Sequence, residues 1–420
     1  MVDGGYVASI DVGTTKICTI VARVAASGQL DILGVGLHPS RGLREGVVVD
    51  HVDAVESVRQ SVRKAEEMAQ LPIGGAYVGV TGTHIRSRNV TGRVRVASGD
   101  EITSEDVDQA IQSACDNVAL PHDREIIHTL VRDFAIDGQG GVKRPLGMHA
   151  ARLDANVHVV SAAAGALRNV TAAVEEAGVT VQKQVLEPVA TSLAVLAEDE
   201  SDLGVVLMDI GGGTTDLAVF VNGAIAHTGA IPVAGNHITS DIAKLLRIPY
   251  GQAEQVKKQF GTALVNMTND DDAVLVEEIG TQEQVRVPRR LIADIIQARL
   301  AEIFQLTIEN LQQAGMYDTV TSGVVLTGGG SQLPGTLEMA SNIMDNTPVR
   351  IGSVRGIGRG ANRVASPIYA TGVGLALYAA EEGADARPPS PPVYLEWVEK
   401  ARSWWRSHIQ PRISAYLPGK

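Results

Sequence analysis

Short β-branched runs alternate with stretches of helical periodicity along most of the 420-residue chain. YVASIDVG, ICTIVARVA and LDILGVG predict three strands between residues 6 and 36, joined as a meander by Gly- and Ser-containing turns. Apolar positions at helical spacing over 52–70 predict a helix, and GAYVGVTG a further strand. Residues 84–160 read as a separate small α+β unit. It has a strand pair around Ile85–Val96, a helix capped at Thr103 in TSEDVDQAIQSAC, and strands near 128–136 and 151–160. A helix over 166–178, the strand VTVQKQVLEP and one helix in ATSLAVLAEDE follow. The meander pattern then returns in LGVVLMDIGGGTTDLAVFVNGAIAHTGAIPV. Helices dominate from Asn236 to Phe260, a strand–loop segment runs to Val287, and a long helix covers about 288–315. SGVVLTGGG predicts a strand feeding a glycine turn and a helix, and TGVGLALYAAEEG a last helix. A meander that opens on an Asp-x-Gly turn thus occurs twice, each time followed by helices and strands, which is the trace of a duplicated α/β domain.

The first turn is DVGTTK (11–16) and the second DIGGGTTD (209–216). Glycine lets backbone approach a phosphate without a Cβ in the way. Consecutive N–H groups in such a turn make an anion-binding concavity. Gly13, Gly211, Gly212 and Gly213 supply that backbone, and Thr14, Thr15, Thr214 and Thr215 add hydroxyl donors. Lys16 brings positive charge, and Asp11 and Asp209 at the strand ends suit Mg²⁺ held through water. A third turn, LTGGGSQLPG (326–335), with Gly328, Gly329 and Gly330, can lie against a nucleoside and offer a helix N-terminus. It carries neither the Gly-Lys-Ser/Thr ending of a P-loop nor a dinucleotide fingerprint.

Composition changes this picture little. Hydrophobic residues make up 45% and charged residues 20%, as in a globular protein, and 420 residues fill two to four domains. The formal net charge of −12 argues against a general nucleic-acid binder. Cys18 and Cys115 sit in apolar contexts without a partner at ligand spacing, so reduced core thiols are expected. No secretory leader pattern and no window of about 18 uninterrupted apolar residues occurs.

The three glycine turns resemble the phosphate-1, phosphate-2 and adenosine loops of the actin/Hsp70/sugar-kinase superfamily. LEPVATS (186–192) and ATGVGLALYA (370–379) resemble its two connecting helices. Within it the chain is most similar to the FtsA family of bacterial cell-division proteins, through PSRGLREGVVVD (39–50), EITSEDVDQAI (101–111), AGNHITSDIA (234–243) and AEQVKK (253–258). The resemblance implies an α/β fold of two actin-like, RNase H-like halves around an ATP–Mg²⁺ cleft, with an FtsA-type inserted α+β subdomain. The first half (subdomain 1A) would be residues 1–83 with 161–198, and the insert (1C) 84–160. The second half (2A) would be 199–243 with 301–384, and subdomain 2B 244–300. The resemblance further implies that Gly235, Asn236, Glu254 and Lys257 contact the nucleotide and that Glu187 organises Mg²⁺ and the attacking water. ATP would act as a switch on conformation and polymerisation more than as a turnover substrate. The chain would polymerise like actin and bind the C-terminal tail of the tubulin-like ring protein FtsZ through 2B, where Arg286, Arg289, Arg290 and Arg299 suit an acidic peptide. The insert would meet other division proteins. An actin-like scaffold of a pilus or secretion machine, a sugar-type kinase and a chaperone-like ATPase share the nucleotide loops. No substrate-base motif marks a kinase, and only about forty residues after 380 remain for a chaperone's substrate domain.

DARPPSPP (385–392) reads as an extended linker. Beyond it, VYLEWVEKARSWWRSHIQ (393–410) holds all three tryptophans of the chain. On a helix, Trp397, Val398, Ala401, Trp404, Trp405 and Ile409 share one arc of roughly 160° with Val393, Tyr394 and His408. Lys400 and Arg402 lie at its rims, where their stems can snorkel, and Arg406 lies on the polar side. Residues 393–420 carry five Lys/Arg and two Glu, net +3 in a chain of −12. Such a face suits the interface of an anionic membrane. FtsA proteins end in such a targeting helix, so the resemblance places the chain peripherally on the cytoplasmic face of the cell membrane at the division site. The expected outcome of flotation with anionic liposomes is that the full chain floats and a chain ending at Gly383 does not. Flotation of neither would assign the tryptophan face to a protein partner or to the protein itself.

Overall fold

The computed structural model describes residues 5–97, 101–280, 283–383 and 386. The terminal segment 393–420, with every residue assigned above to the membrane, lies outside them. Strands β1 (Tyr6–Val12), β2 (Lys16–Val24) and β3 (Leu30–Pro39) form the expected antiparallel meander. The small hairpin β4 (Leu43–Arg44) and β5 (Val47–Val48) leads into helix α1 (His51–Ala69). Asp50 caps α1 by accepting from the Asp53 amide at 3.1 Å. Ala54, Val55, Val58, Val62 and Ala65 turn its apolar stripe to the sheet. Contact is close because β3 presents glycine there: a β-carbon on Gly36 would lie 1.9 Å from the Ser61 carbonyl oxygen. Strand β6 (Gly75–Val80) follows.

The chain then leaves the sheet for β7 (Arg86–Arg95), α2 (Ser104–Asp116), β8 (Arg124–Ile136), β9 (Gln139–Val142) and β10 (Arg152–Ala163). These make a separate sheet in the order β7-β10-β8-β9, with α2 packed against it. The strand pair expected around Ile85–Val96 is one continuous strand. Its partner is the distant β10, from Arg86 opposite Ser161 to Arg95 opposite Arg152, so the polar residues within the run mark edge-strand positions and no turn. Thr103 does cap α2, in a reciprocal box with Asp106.

Helix α3 (Ala164–Glu176) and strand β11 (Thr180–Leu186) return the chain to the first sheet, whose order is β11-β6-β1-β2-β3. Where one helix was expected in ATSLAVLAEDE, two form: α4 (Glu187–Val195) and α5 (Glu198–Leu203). Leu196 and Ala197 between them are extended, because Glu200 accepts from the Ala197 amide at 2.8 Å and is itself held by Arg350 at 2.6 Å.

Strands β12 (Val205–Ile210), β13 (Thr215–Val221) and β14 (Ala224–Ile231) repeat the meander. Next come α6 (Gly235–Leu246), α7 (Tyr250–Phe260), the hairpin β15 (Ala273–Glu277) and β16 (Gln284–Pro288), α8 (Arg289–Gln313), β17 (Gly323–Thr327), α9 (Thr336–Ile343), β18 (Val349–Ile351) and α10 (Ala370–Glu381). The second sheet runs β14-β13-β12-β17-β18. This is the first sheet's plan read from the opposite end: a meander of three antiparallel strands, then two parallel ones. The duplication read from the two Asp-Gly-Thr runs is therefore present in the topology.

One apolar cluster joins the two halves. Cys18, Ile20 and Val185 from the first sheet and Leu207, Ala218 and Val325 from the second pack with Ala190, Ala194, Val373 and Ala376 of α4 and α10. Both cysteines are free; Cys18 is buried and Cys115 partly so. Ala386, inside the proline-rich stretch, is buried against the first half, donating to the Tyr6 carbonyl and accepting from Gly74, both at 2.8 Å. The two helices between the halves cross at Gly374, where a β-carbon would lie 2.0 Å from the Ala190 carbonyl oxygen. Gly374→Ala is expected to lower stability by roughly 1–3 kcal/mol through overpacking, measured as the urea midpoint of the full chain. An unchanged midpoint would show that the helices can slide apart.

Candidate functional site

The ends of β1 and β12 bring the two Gly-Thr turns together. Each is a tight hairpin: the Gly13 amide donates to the Lys16 carbonyl and the Gly211 amide to the Thr214 carbonyl, both at 3.1 Å. Their tips touch. A β-carbon on Gly212 would lie 2.1 Å from Thr15 Cγ2, and one on Gly213 would lie 2.7 Å from Thr14 Oγ1. Only glycine in the second turn allows this approach, which is a stronger requirement than turn geometry alone. Lys16 Nζ is 2.5 Å from the buried Asp11 carboxylate. Asp209 accepts from Thr371 Oγ1 of α10 at 3.2 Å, so the second connecting helix grips the second strand end.

The third turn closes on the same place. Gly328 is in the left-handed region at φ 80°, and a β-carbon there would lie 2.2 Å from Asp209 Oδ1. Gly330 packs against Ile210, while a β-carbon on Gly329 would only touch Ile368, at 3.9 Å. A 3₁₀ turn over Gly329–Gln332 follows, and α9 starts only at Thr336. The expected junction of glycine turn and helix is thus interrupted: Pro334 holds the chain until the helix can begin. Helix α6 starts beside the phosphate-2 turn, with the Gly235 and Asn236 amides donating to the carbonyls of Gly211 and Gly212 at 3.1 and 2.8 Å. Lys257 of α7 reaches back to the Gly235 carbonyl at 3.0 Å and Thr239 Oγ1 at 2.8 Å, with Glu254 2.7 Å away. Burial pulls the Lys257 amine below its ordinary pKa. Burial disfavours the Glu254 carboxylate, but Lys257 and its hydrogen bonds hold its pKa below the usual value.

Two acids complete the cleft. Glu187, the first residue of α4, is buried, and its Oε1 has no hydrogen-bond partner. Burial, then the charges of Asp11, Asp216 and Asp209, raise its pKa well above that of a carboxylate. Asp216 closes DIGGGTTD and received no role in the sequence reading. It pairs across the hairpin with Asp209, accepts from Thr214 Oγ1 at 2.8 Å, and is pushed by burial up to about 6. Hairpin symmetry about the glycines was the available signal, since it places residues 209 and 216 opposite each other. Burial and then Asp216 push Asp209 up to about 7. Lys16 stays charged: burial opposes its charge, but Asp11 and its other anionic neighbours outweigh that and raise its pKa. Among the described residues no three His, Cys, Asp or Glu are placed to hold a metal unaided.

The four arginines do not form one free patch. Arg286 is exposed on β16. Arg289 lies 3.6 Å from Asp272 and donates to the Phe260 carbonyl, and Arg290 lies 3.0 Å from Asp270. Arg299 sits further along α8 between Asp241 and Glu302.

A family model described as cell division protein FtsA matches residues 206–374, and one described as the SHS2 domain inserted in FtsA matches 82–161. Cell division protein FtsA of Pseudomonas aeruginosa is 40% identical over 385 residues, covering 91% of either chain. The chain belongs to the FtsA family. FtsA of Escherichia coli K12 is 34% identical over 97% of this chain and 99% of its own, and FtsA of Bacillus subtilis 37% over 88% and 82%. Among solved structures, the PilM–PilN type IV pilus biogenesis complex aligns over 89% of this chain and 98% of its own at 17% identity, with a TM-score of 0.65. MreB5 of Spiroplasma citri bound to AMPPNP aligns over 90% and 96% at 17% identity, with a TM-score of 0.53. The actin-like fold is thus common to all of them, while family membership separates this cell-division chain from the pilus, kinase and chaperone readings.

The buried acids fix a sign for pH. A carboxyl whose folded pKa is raised lowers stability progressively as pH rises from its unfolded value toward its folded one. Asp209→Asn is therefore expected to raise the melting temperature of the ligand-free chain at pH 8, by an amount that shrinks as pH falls from 7 toward 4. Calorimetric melts across that range check it; equal melts at pH 8 would show that Asp209 is not held against its charge.

Proposed function

We propose that the cleft binds ATP with Mg²⁺ and that nucleotide sets the angle between the halves. The observation that carries this is the direct contact of Gly212 and Gly213 with Thr15 and Thr14, beside Lys16 and a cluster of acids too poor in ligands to hold a metal alone. Atoms in contact leave no room for a phosphate, so seating one between the turns parts them, and the bound phosphates then join them. Amides of both turns and the Thr hydroxyls would hold the phosphate oxygens. Lys16 would neutralise their charge, and Asp11 and Asp209 would hold Mg²⁺ through water. The cation also answers the raised pKa of Asp209 by compensating its charge. The Glu187 oxygen without a partner is available to orient a water. Gly235, Asn236, Glu254 and Lys257, beside the second Gly-Thr turn, would contact the nucleotide, Glu254 and Lys257 at its ribose and purine, with the third turn completing the nucleoside side.

In the cell, the chain polymerises as an actin-like filament and holds FtsZ filaments by their C-terminal tails to the inner face of the membrane. Attachment is through the 393–410 segment, and later division proteins engage the insert. Family membership supports this reading, as does the tryptophan-rich terminal sequence. No helix among the described residues is long and apolar enough to cross a membrane. Titration calorimetry with ATP and MgCl₂ is expected to show binding to the unmodified chain. Affinity should be at least about tenfold weaker, about 1.4 kcal/mol, in Asp209→Asn and Gly212→Val, the latter because its side chain would occupy Thr15's place. Unweakened binding in both variants would put the nucleotide elsewhere. Co-flotation of FtsZ with the liposome-bound chain tests the tether.

A further inference from the structure

The inserted sheet belongs covalently to the first half and is fixed to it. His128 of β8 accepts from the Leu186 amide of β11 at 2.9 Å, and Val80, Ala162 and Leu167 form a small apolar cluster at the junction. Yet its outer strand also reaches the second half. β14 is an edge strand, and the carbonyls of Ala226 and Thr228 find side-chain donors across a gap: Asn89 Nδ2 at 2.9 Å and Ser87 Oγ at 3.1 Å. Alternate residues of β7 thus take alternate residues of β14 in antiparallel sense, side chains standing in for a ladder. His158 of β10, almost fully buried, joins the two: Nδ1 is 2.7 Å from Asn89 Oδ1 and Nε2 is 3.1 Å from Thr228 Oγ1. With Asn89 donating to Ala226, its Oδ1 must accept, so the ring carries its proton on Nδ1 and accepts the Thr228 hydroxyl on Nε2. Each group has one role, and a single neutral tautomer satisfies all of them. Burial, which pulls the His158 pKa to about 3, keeps the ring neutral. Elsewhere along the seam Lys143 pairs with Asp202 at 3.4 Å and Leu130 of β8 packs on the cluster that holds Ile225 of β14, and a polar cavity of about 280 Å³ lies beside them, lined by Arg88, His227 and Asn310 among others.

We propose that this network is a latch across the hinge: through Ser87, Asn89, His158 and Thr228 the inserted unit holds the second half's edge strand in the position where the two Gly-Thr turns touch. Parting the turns to admit or release a phosphate strains or breaks the latch, so whatever binds the inserted unit along β7 changes the ease of opening. A seam held by side-chain hydrogen bonds and bordered by a polar cavity is suited to release. The link to nucleotide rests on the function proposed above; the latch itself does not.

Hydrogen exchange at residues 13–16 and 211–215 of the full chain without nucleotide reads the turn contact directly. In Ser87→Ala/Asn89→Ala these amides are expected to exchange about 5- to 150-fold faster, the range of an ordinary coupling between sites, with β8–β10 amides unchanged. Thr228→Val, which keeps the carbonyl and removes only the hydroxyl, should give a smaller change of the same sign and serves if the double variant is unstable. Unchanged turn exchange in a folded variant overturns the latch. Uptake of a fluorescent ATP analogue should accelerate in the same variants. An unmodified chain that does not bind the analogue would overturn the nucleotide reading, with exchange still deciding the latch.

Discussion

Four carboxylates, Asp11, Asp209, Asp216 and Glu187, meet one ammonium, Lys16, where the two halves face each other. Removed from water, like charges at such range cannot all be ionised without a strong penalty. The fold answers in part with protons, since burial raises the pKa of Asp209, Asp216 and Glu187. It answers also with donors: Lys16 to Asp11, Thr371 to Asp209 and Thr214 to Asp216. Under the proposed function Mg²⁺ would meet the rest of the deficit and complete its oxygen ligands on the nucleotide's phosphates. Stability is given up here in favour of a site, as is common where chemistry or switching is located.

The architecture concentrates that conflict at a joint. Each acid stands at the end of an element that belongs to one half: β1, β12 and β13, or the start of α4. One apolar cluster built around α4 and α10 joins the halves, and Gly374 lets the two helices nearly touch. Close-packed helices with small residues at the crossing resist separation but tolerate small rotations. Under the proposed function a change of charge or ligand between the turns would be converted into angle. The inserted sheet, fixed to one half and hydrogen-bonded to the other, lies across the same joint at a distance from the cleft.

Much of this was legible in the chain. The two DxG-Thr-Thr turns, the threefold meander before and after them, and the strand–glycine signature at 326–330 all follow from local patterns, since hairpin turns and period-2 alternation depend on neighbouring residues. Where local patterns misled, a distant partner had overruled them. β7 is one strand because β10 pairs along its whole length. The helix after Leu186 breaks because Glu200 is recruited both by the Ala197 amide and by Arg350, 150 positions away. The four arginines looked like one basic face, but Arg289, Arg290 and Arg299 are drawn to Asp272, to Asp270, and to Asp241 and Glu302, while Arg286 stands exposed on β16.

The sequence by itself determined which residues bear charge, which turns need glycine and which segments repeat, because those depend on the chemistry of a residue and its neighbours. Only the tertiary structure decided that Gly212 must be glycine on account of Thr15, that Asp216 shares a dry cleft with Asp209 and Glu187, and that Ser87 and Asn89 close the edge of β14. Each of these is a contact between atoms remote in the chain. Its energy arises from burial and distance, and neither exists until the two halves are packed together.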